Sequence, residues 1–377
     1  MIEPRCTQLA AFAALLALSG CVSEPPPSAA MDPAAEAPAM TTAFAPTTPT
    51  IEPVAFDGGL SLWGELPGRG SGPVDASDNL RQVSFTQEGA DFDVAVDPSG
   101  ERIVFASTRH RSTADLYVKG VDGSTITQFT NDLGNDVMPT WSPDGSAIAF
   151  CSDRSGNWDI YIQKLDGGQP FQLTNDPSHE MHPSFSPDGR QIVLCSLATS
   201  GQWEIVVVDV ESPAKRRILG FGLFPQFSPM GDKIVFQRAR QRGSRLFSVW
   251  TLDYVNGEAV RPTEIAAATN AAVINPAWSP DGRRLAFSSV VDPTGEYSDK
   301  PHAADLWAIN IDGTGRVKLT NDSHANLQPA WSSQGAIYFI SNRNGPDNVW
   351  SLRPTNAAML AMPVTRRIDA QAEVPTP

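Results

Sequence analysis

The sequence is short of cysteine, of basic charge and of long apolar runs, and each shortage removes a class of protein. Only four cysteines occur in 377 residues. Neither Cys151 nor Cys195 has a second ligand at close spacing, so a cysteine-based metal centre is not supported. Lys and Arg total 28 against 42 Asp and Glu, for a net charge of −14 and a pI near 4.8. That surface repels a polyanion, and no basic patch with interleaved aromatics interrupts it, so no nucleic-acid partner is expected. The apolar run "LAAFAALLAL" near the N-terminus is too short to span a bilayer as a stable helix. Turn formers, by contrast, are plentiful: 32 Pro and 29 Gly point to many turns rather than long helices.

One theme is written six times. "TWSPDGSAIAFCS" starts at Thr140, "SFSPDGRQIVLCS" at Ser184, "QFSPMGDKIVFQ" at Gln226 and "AWSPDGRRLAFSS" at Ala277. "AWSSQGAIYFIS" starts at Ala330, and a worn copy, "AVDPSGERIVFAS", at Ala95. A catalytic motif usually occurs once, so six copies describe architecture. Residues 137–175 show what one copy builds. "VMPTWS" is a short strand. Ser142-Pro143-Asp144-Gly145 is a tight turn, with Pro presetting φ and Gly tolerating a positive φ. "AIAF", "DIYIQKL" and "PFQLT" supply three more β-rich runs, separated by "SDRSGN" and by Asp166-Gly167. Four antiparallel strands in about 45 residues, repeated, are the signature of propeller blades. The predicted fold is all-β: a six-bladed β-propeller of four-stranded antiparallel blades. The Trp or Phe before each turn supplies bulk between blades. Seven candidate outer strands compete for six places. Either Gln82–Thr86 or the C-terminal "PVTRRI" completes the last blade.

The predicted layout is a signal peptide over 1–20, a tether over 21–79, the propeller over 80–366 and a disordered tail over 367–377. The tether is rich in Pro, Ala and Thr and cannot bury enough apolar surface to offset its ordering entropy. Leu18-Ser19-Gly20-Cys21 resembles the bacterial lipobox. That resemblance implies cleavage before Cys21, lipidation of its thiol and attachment to the membrane, the other reading being a secretory signal cut elsewhere. By resemblance to enterobacterial sorting rules, Val22 favours the outer over the inner membrane, with the chain facing the periplasm.

"PTWSPDGSAIAFCSDRSGNWDIYI" and the recurring Thr-Asn-Asp connections resemble the WD-like propeller repeat of the TolB family, periplasmic partners of the Tol–Pal envelope system. The resemblance covers roughly residues 80–365. TolB itself has an α/β domain before its propeller, where this chain has the tether. Similar repeats front the prolyl-oligopeptidase hydrolases, but no room remains after residue 365 for their G-x-S-x-G domain.

Repeated charges read as scaffold. Arg109, Arg154 and Arg343 each follow a serine by two residues, and Asp115, Asp159 and Asn348 open the next strand; pairing across the turn would fix the loop. The Asn and Asp of the Thr-Asn-Asp connections are expected to bond their own backbone. Cys151 and Cys195 fill a slot held elsewhere by Ala106 and Ser288, and read as small buried hydrophobes.

Function is expected where the blades differ. All five histidines and the longest insertion, from Val290 to Asp305, fall on the face of the longer loops. Aligning the copies places Asp93, Met138, His182, Phe224, Asn275 and Gln328 at the mouth of the central channel. Two positions earlier stand Asp91, Asp136, Glu180, Gly222, Val273 and Asn326. Asp91, Asp93, Asp136, Met138, His179, Glu180, His182, Phe224, Asn275, Asn326 and Gln328 are therefore the predicted partner-binding residues. The expected function is that of a monomeric, lipid-anchored, non-enzymatic adaptor of the cell envelope that binds another envelope protein. The alternative is a metal-dependent propeller enzyme acting on a saccharide or lactone. In that reading His179 and His182 are the weak metal candidates. No catalytic residue and no cofactor are assigned otherwise, beyond a divalent cation at the channel mouth as a milder version of the alternative.

Overall fold

The computed structural model describes residues 79–241, 245–291, 301–321 and 323–354. The signal peptide, Cys21, nearly all of the tether, the C-terminal "PVTRRI" and tail, and most of the long insertion lie outside the described residues.

Twenty-four strands are described, in six four-stranded antiparallel sheets. β1 (Arg81–Gln82) stands apart at the N-terminus. Blade 1 follows with β2 (Asp91–Val96), β3 (Arg102–Ser107), β4 (Asp115–Gly120) and β5 (Ile126–Gln128). Blade 2 has β6 (Asp136–Trp141), β7 (Ala147–Ser152), β8 (Asp159–Lys164) and β9 (Phe171–Gln172). Blade 3 has β10 (Glu180–Phe185), β11 (Gln191–Leu197), β12 (Trp203–Asp209) and β13 (Arg216–Phe221). Blade 4 has β14 (Leu223–Phe227), β15 (Lys233–Ala239), β16 (Phe247–Val255) and β17 (Glu258–Ala266). Blade 5 has β18 (Ala271–Trp278), β19 (Arg284–Val291), β20 (Asp305–Asn310) and β21 (Val317–Lys318). Blade 6 has β22 (Asn326–Trp331), β23 (Ile337–Ser341) and β24 (Asn348–Leu352), and β1 is its fourth strand.

The N-terminal segment therefore closes the ring. Arg81 pairs with Ser351 and Gln82 with Trp350. Val83 N–H donates to the Val349 carbonyl (2.8 Å), and Thr86 N–H to Asn348 Oδ1 (2.7 Å). The paired strand is shorter than the Gln82–Thr86 run the sequence suggests, because from Ser84 on side-chain contacts join and then replace backbone pairing.

The repeated turn works as its residues require. Ser142 Oγ donates to Asp144 Oδ1 (2.6 Å), and Gly145 N–H closes the turn on the Ser142 carbonyl (2.9 Å) at φ 67°. The tryptophan before it bridges blades: Trp141 Nε1 donates to the Ala95 carbonyl of blade 1, and Trp278 Nε1 to the Gln226 carbonyl of blade 4. Phe105, Phe150, Phe287 and Phe339, one on the second strand of four blades, are fully buried. They supply much of the apolar burial that holds sheet on sheet.

The Thr-Asn-Asp connections are held chiefly by the threonine, a residue the sequence reading gave no role. Thr130, Thr174 and Thr320 are buried, and each Oγ1 accepts a backbone N–H of the third strand, from Leu116, Ile160 and Leu306, all at 2.9 Å. Of the acidic partners, Asp132 does bond its own backbone, at Gly134 N–H (2.8 Å).

Candidate functional site

The inner strands carry the channel. Near its start each has one non-glycine residue in the left-handed region: Asp93 (φ 52°), Met138 (52°), His182 (57°), Phe224 (53°), Asn275 (52°) and Gln328 (53°). The pairing register slips at the same place in every blade, between Phe92 and Ala95 in the first and between Leu327 and Ala330 in the last. Five of these residues precede a proline, which has no N–H to give the ladder and so favours a bulge. Left-handed backbone costs an L-residue about 1–2 kcal/mol. Six such residues persist because the surrounding sheets fix them, and they surround one cavity. That cavity, about 100 Å³, lies on the axis and is lined by the six residues and the prolines that follow them. The six residues the sequence alignment placed at the channel are the ones that line it.

Around this ring the side chains differ. Gln328 Oε1 accepts the Asp93 N–H (3.0 Å) and its amide nitrogen donates to Asp93 Oδ1. Asp93 Oδ2 in turn accepts the Met138 N–H of the next blade (3.1 Å). Burial pushes the Asp93 carboxyl up to about 6 against the pull of those two hydrogen bonds. His182 packs on Phe224, ring centroids 3.7 Å apart, and burial pushes its imidazole down to about 3, so it is neutral. Both ring nitrogens of His182 and both amide atoms of Asn275 are buried without a hydrogen-bond partner.

The second tier of expected rim residues is not on the rim. Asp91, Asp136, Glu180, Val273 and Asn326 are fully buried, and Gly222 is buried with them. Their polar members hold arginines. One Arg109 nitrogen reaches both Asp91 oxygens at 2.8 Å, Arg154 reaches both Asp136 oxygens at 2.8 and 2.9 Å, and Arg343 donates to Asn326 Oδ1 at 2.9 Å. Each guanidinium also lies over an aromatic ring: Arg109 over Phe105 and Tyr117, Arg154 over Phe150 and Tyr161, Arg343 over Trp350. This corrects two expectations together. The scaffold arginines pair with Asp91, Asp136 and Asn326 rather than with Asp115, Asp159 and Asn348, and those acids are thereby taken out of the surface. In blade 3 the same place is served differently, Glu180 pairing with Arg216 from the outer strand.

The two histidines of His179-Glu180-Met181-His182 diverge. His179 is exposed and its Nδ1 accepts the Trp158 N–H (3.3 Å), while His182 faces the channel. No three His, Cys, Asp or Glu side chains converge as a metal cluster among the described residues.

Cys151 and Cys195 are free and buried, and burial pushes both thiols up. Their slot is not reserved for small residues, since Gln237 and Ile340 occupy it in blades 4 and 6. It faces the next blade's ring residue. The His182 N–H bonds the Cys151 sulfur, the Phe224 N–H bonds the Cys195 sulfur, and the Asn275 N–H donates to Gln237 Oε1 (2.8 Å). The sequence offered a hint in Gln237, a polar residue inside a buried strand.

Residues 75–255 match the family model described as the TolB beta propeller domain. That match and the six blades built on one repeat together support a TolB-like propeller. The chain is a TolB-like β-propeller. The Tol-Pal system protein TolB of Anaeromyxobacter dehalogenans is 33% identical over 134 residues, covering 35% of this chain and 27% of that protein. The chain thus spans about a quarter of the length of the curated relative it matches. Among solved structures, a TolB candidate from Agrobacterium tumefaciens superposes with a TM-score of 0.54 at 18% identity, over 74% of this chain and 98% of that one. An oligogalacturonate lyase in complex with manganese superposes with a TM-score of 0.51 at 10% identity, over 74% and 94%. At those identities the structural likenesses describe the TolB-like fold and nothing finer.

Proposed function

We propose that this TolB-like propeller is a non-enzymatic adaptor of the cell envelope, held at the outer membrane through Cys21 and binding another envelope protein across its long-loop face. One observation carries the reading. The ring of left-handed residues on the channel differs from blade to blade, while the face of the serine turns repeats one design. A repeated face serves the fold, and a varied one can serve recognition. The name of the Anaeromyxobacter relative, a Tol-Pal system protein, supports an envelope setting.

The burial of Asp91, Asp136 and Glu180 changes how the face is probed, because reversing their charge would unfold blades rather than test binding. Leu133, 92% exposed in a Thr-Asn-Asp connection, and Met230, 77% exposed in a serine turn on the other face, make a cleaner pair. The test is capture of envelope proteins by the full chain and by its Leu133→Arg and Met230→Arg variants. The adaptor reading predicts one stoichiometric partner, lost with Leu133→Arg and kept with Met230→Arg. Loss with Met230→Arg alone would place binding on the wrong face. No stoichiometric partner, together with turnover of a saccharide, would replace the adaptor by an enzyme.

A further inference from the structure

Four carboxylates stand on the inner strands: Asp91 and Asp93 on β2, Asp136 on β6 and Glu180 on β10. Three of them are paired with arginine, through Arg109, Arg154 and Arg216. Asp93 is the exception. It is 8% exposed, its hydrogen bonds come from two neutral donors, the Met138 N–H and the Gln328 amide, and no cation pairs with it among the described residues. A buried anion without a counter-charge is costly, and a cation delivered to it is held correspondingly well.

The rest of the ring suits a cation of one kind. None of its six residues is cationic. Phe224 offers a π face and Met138 a thioether. Asn275 and neutral His182 line the same cavity with their polar atoms unpartnered, so each has a free lone pair to turn toward a donor. A hard divalent ion wants six or more oxygen ligands, usually several carboxylates, and this ring has one carboxylate. An ammonium group with a short alkyl stem needs only a carboxylate, a few neutral acceptors and an apolar wall.

We propose that the neck of the channel is a receptor for a primary alkylammonium group. The group is either a lysine side chain of the bound envelope protein, in which case the inference rests on the adaptor reading, or a free amine.

The test uses the purified full chain and follows the Met138 methyl resonance during titration with N-acetyl-lysine methylamide, n-butylamine, the norleucine analogue and calcium chloride at matched ionic strength. Both amines are expected to shift it saturably and the neutral norleucine analogue to leave it in place. Asp93→Asn should weaken amine binding about tenfold or more, as loss of a charged hydrogen-bond partner does. Asn275→Asp adds a second carboxylate to the ring and should tighten binding, which keeps the proposal testable if Asp93→Asn folds poorly. Tighter binding of the lysine analogue than of butylamine assigns the site to a partner's lysine, and equal binding assigns it to free amines. The proposal is overturned by the absence of a saturable shift, by an equal shift with the norleucine analogue, by unweakened binding in a folded Asp93→Asn, or by calcium displacing the amines at equimolar concentration. Because the readout needs no partner protein, failure to capture one overturns the adaptor reading and leaves this one standing.

Discussion

Blades 1, 2 and 6 and blades 4 and 5 solve the same structural problem in opposite ways. In the first group the position two residues before the ring is polar, and an arginine from the adjoining loop covers it while stacking on an aromatic ring. In the second group Gly222 and Val273 stand there, buried, and need no arginine. A Cβ at Gly222 would sit 2.5 Å from Phe236 Cδ2 and 3.0 Å from Ile205 Cδ1, so blade 4 has no room for the acid that blades 1 and 2 carry. The lesson is that charge in this molecule is most conspicuous where it is most neutralised. The arginine cassettes are scaffold, and the channel, with its single unpaired acid, is where the charge remains available.

Breaking a cassette should have the largest effect. Arg154→Met leaves Asp136 buried without its cation and is expected to cost about 3–5 kcal/mol in urea denaturation. Adding Asp136→Asn should recover much of that. A loss below 1 kcal/mol would show the cassette to be decoration. Next comes the unpaired acid. The folded-state pKa of Asp93 is raised, from 3.8 to about 6, so the contribution of its protonated form is fully present below pH 3.8 and is lost as pH rises through 6. The stability of the protein relative to Asp93→Asn should therefore fall by about 3 kcal/mol between pH 3.5 and pH 7. A flat difference would mean that the carboxylate is compensated. Adding only a Cβ in blade 4 should cost less: Gly222→Ala is expected to destabilise by about 1–3 kcal/mol through overpacking, measured as a lowered urea midpoint. The smallest effect belongs to Arg238→Ala. Arg238 is an exposed blade-4 arginine lying over Trp250, and its loss should change stability by less than about 1 kcal/mol.

The fold was legible because its devices are local. Ser-Pro-Asp-Gly is a turn by its own chemistry, and six copies count six blades. The ring was legible for a similar reason, since aligning the six copies places one residue of each at the channel. Side-chain direction was not legible. Asp91 and Asp93 are two apart and in a regular strand would share a face. The left-handed bulge at Asp93 breaks that alternation, leaving Asp91 inside the blade against Arg109 while Asp93 lines the channel. Pairing across the loop was misread for the same reason, because sequence proximity favoured Asp115 for Arg109 whereas the sheet brings Asp91 to it.

The most direct test is a carboxyl NMR titration of the full chain that compares Asp93 with Asp144. Asp144, in a serine turn, is held down to about 2 by hydrogen bonds from Ser142 and Ser146. Asp93 is expected to titrate near 6, far above Asp144, because burial disfavours its charged form. An Asp93 that titrates at or below 3.8 would mean that the channel acid is already compensated, and its charge would not be available to a bound cation.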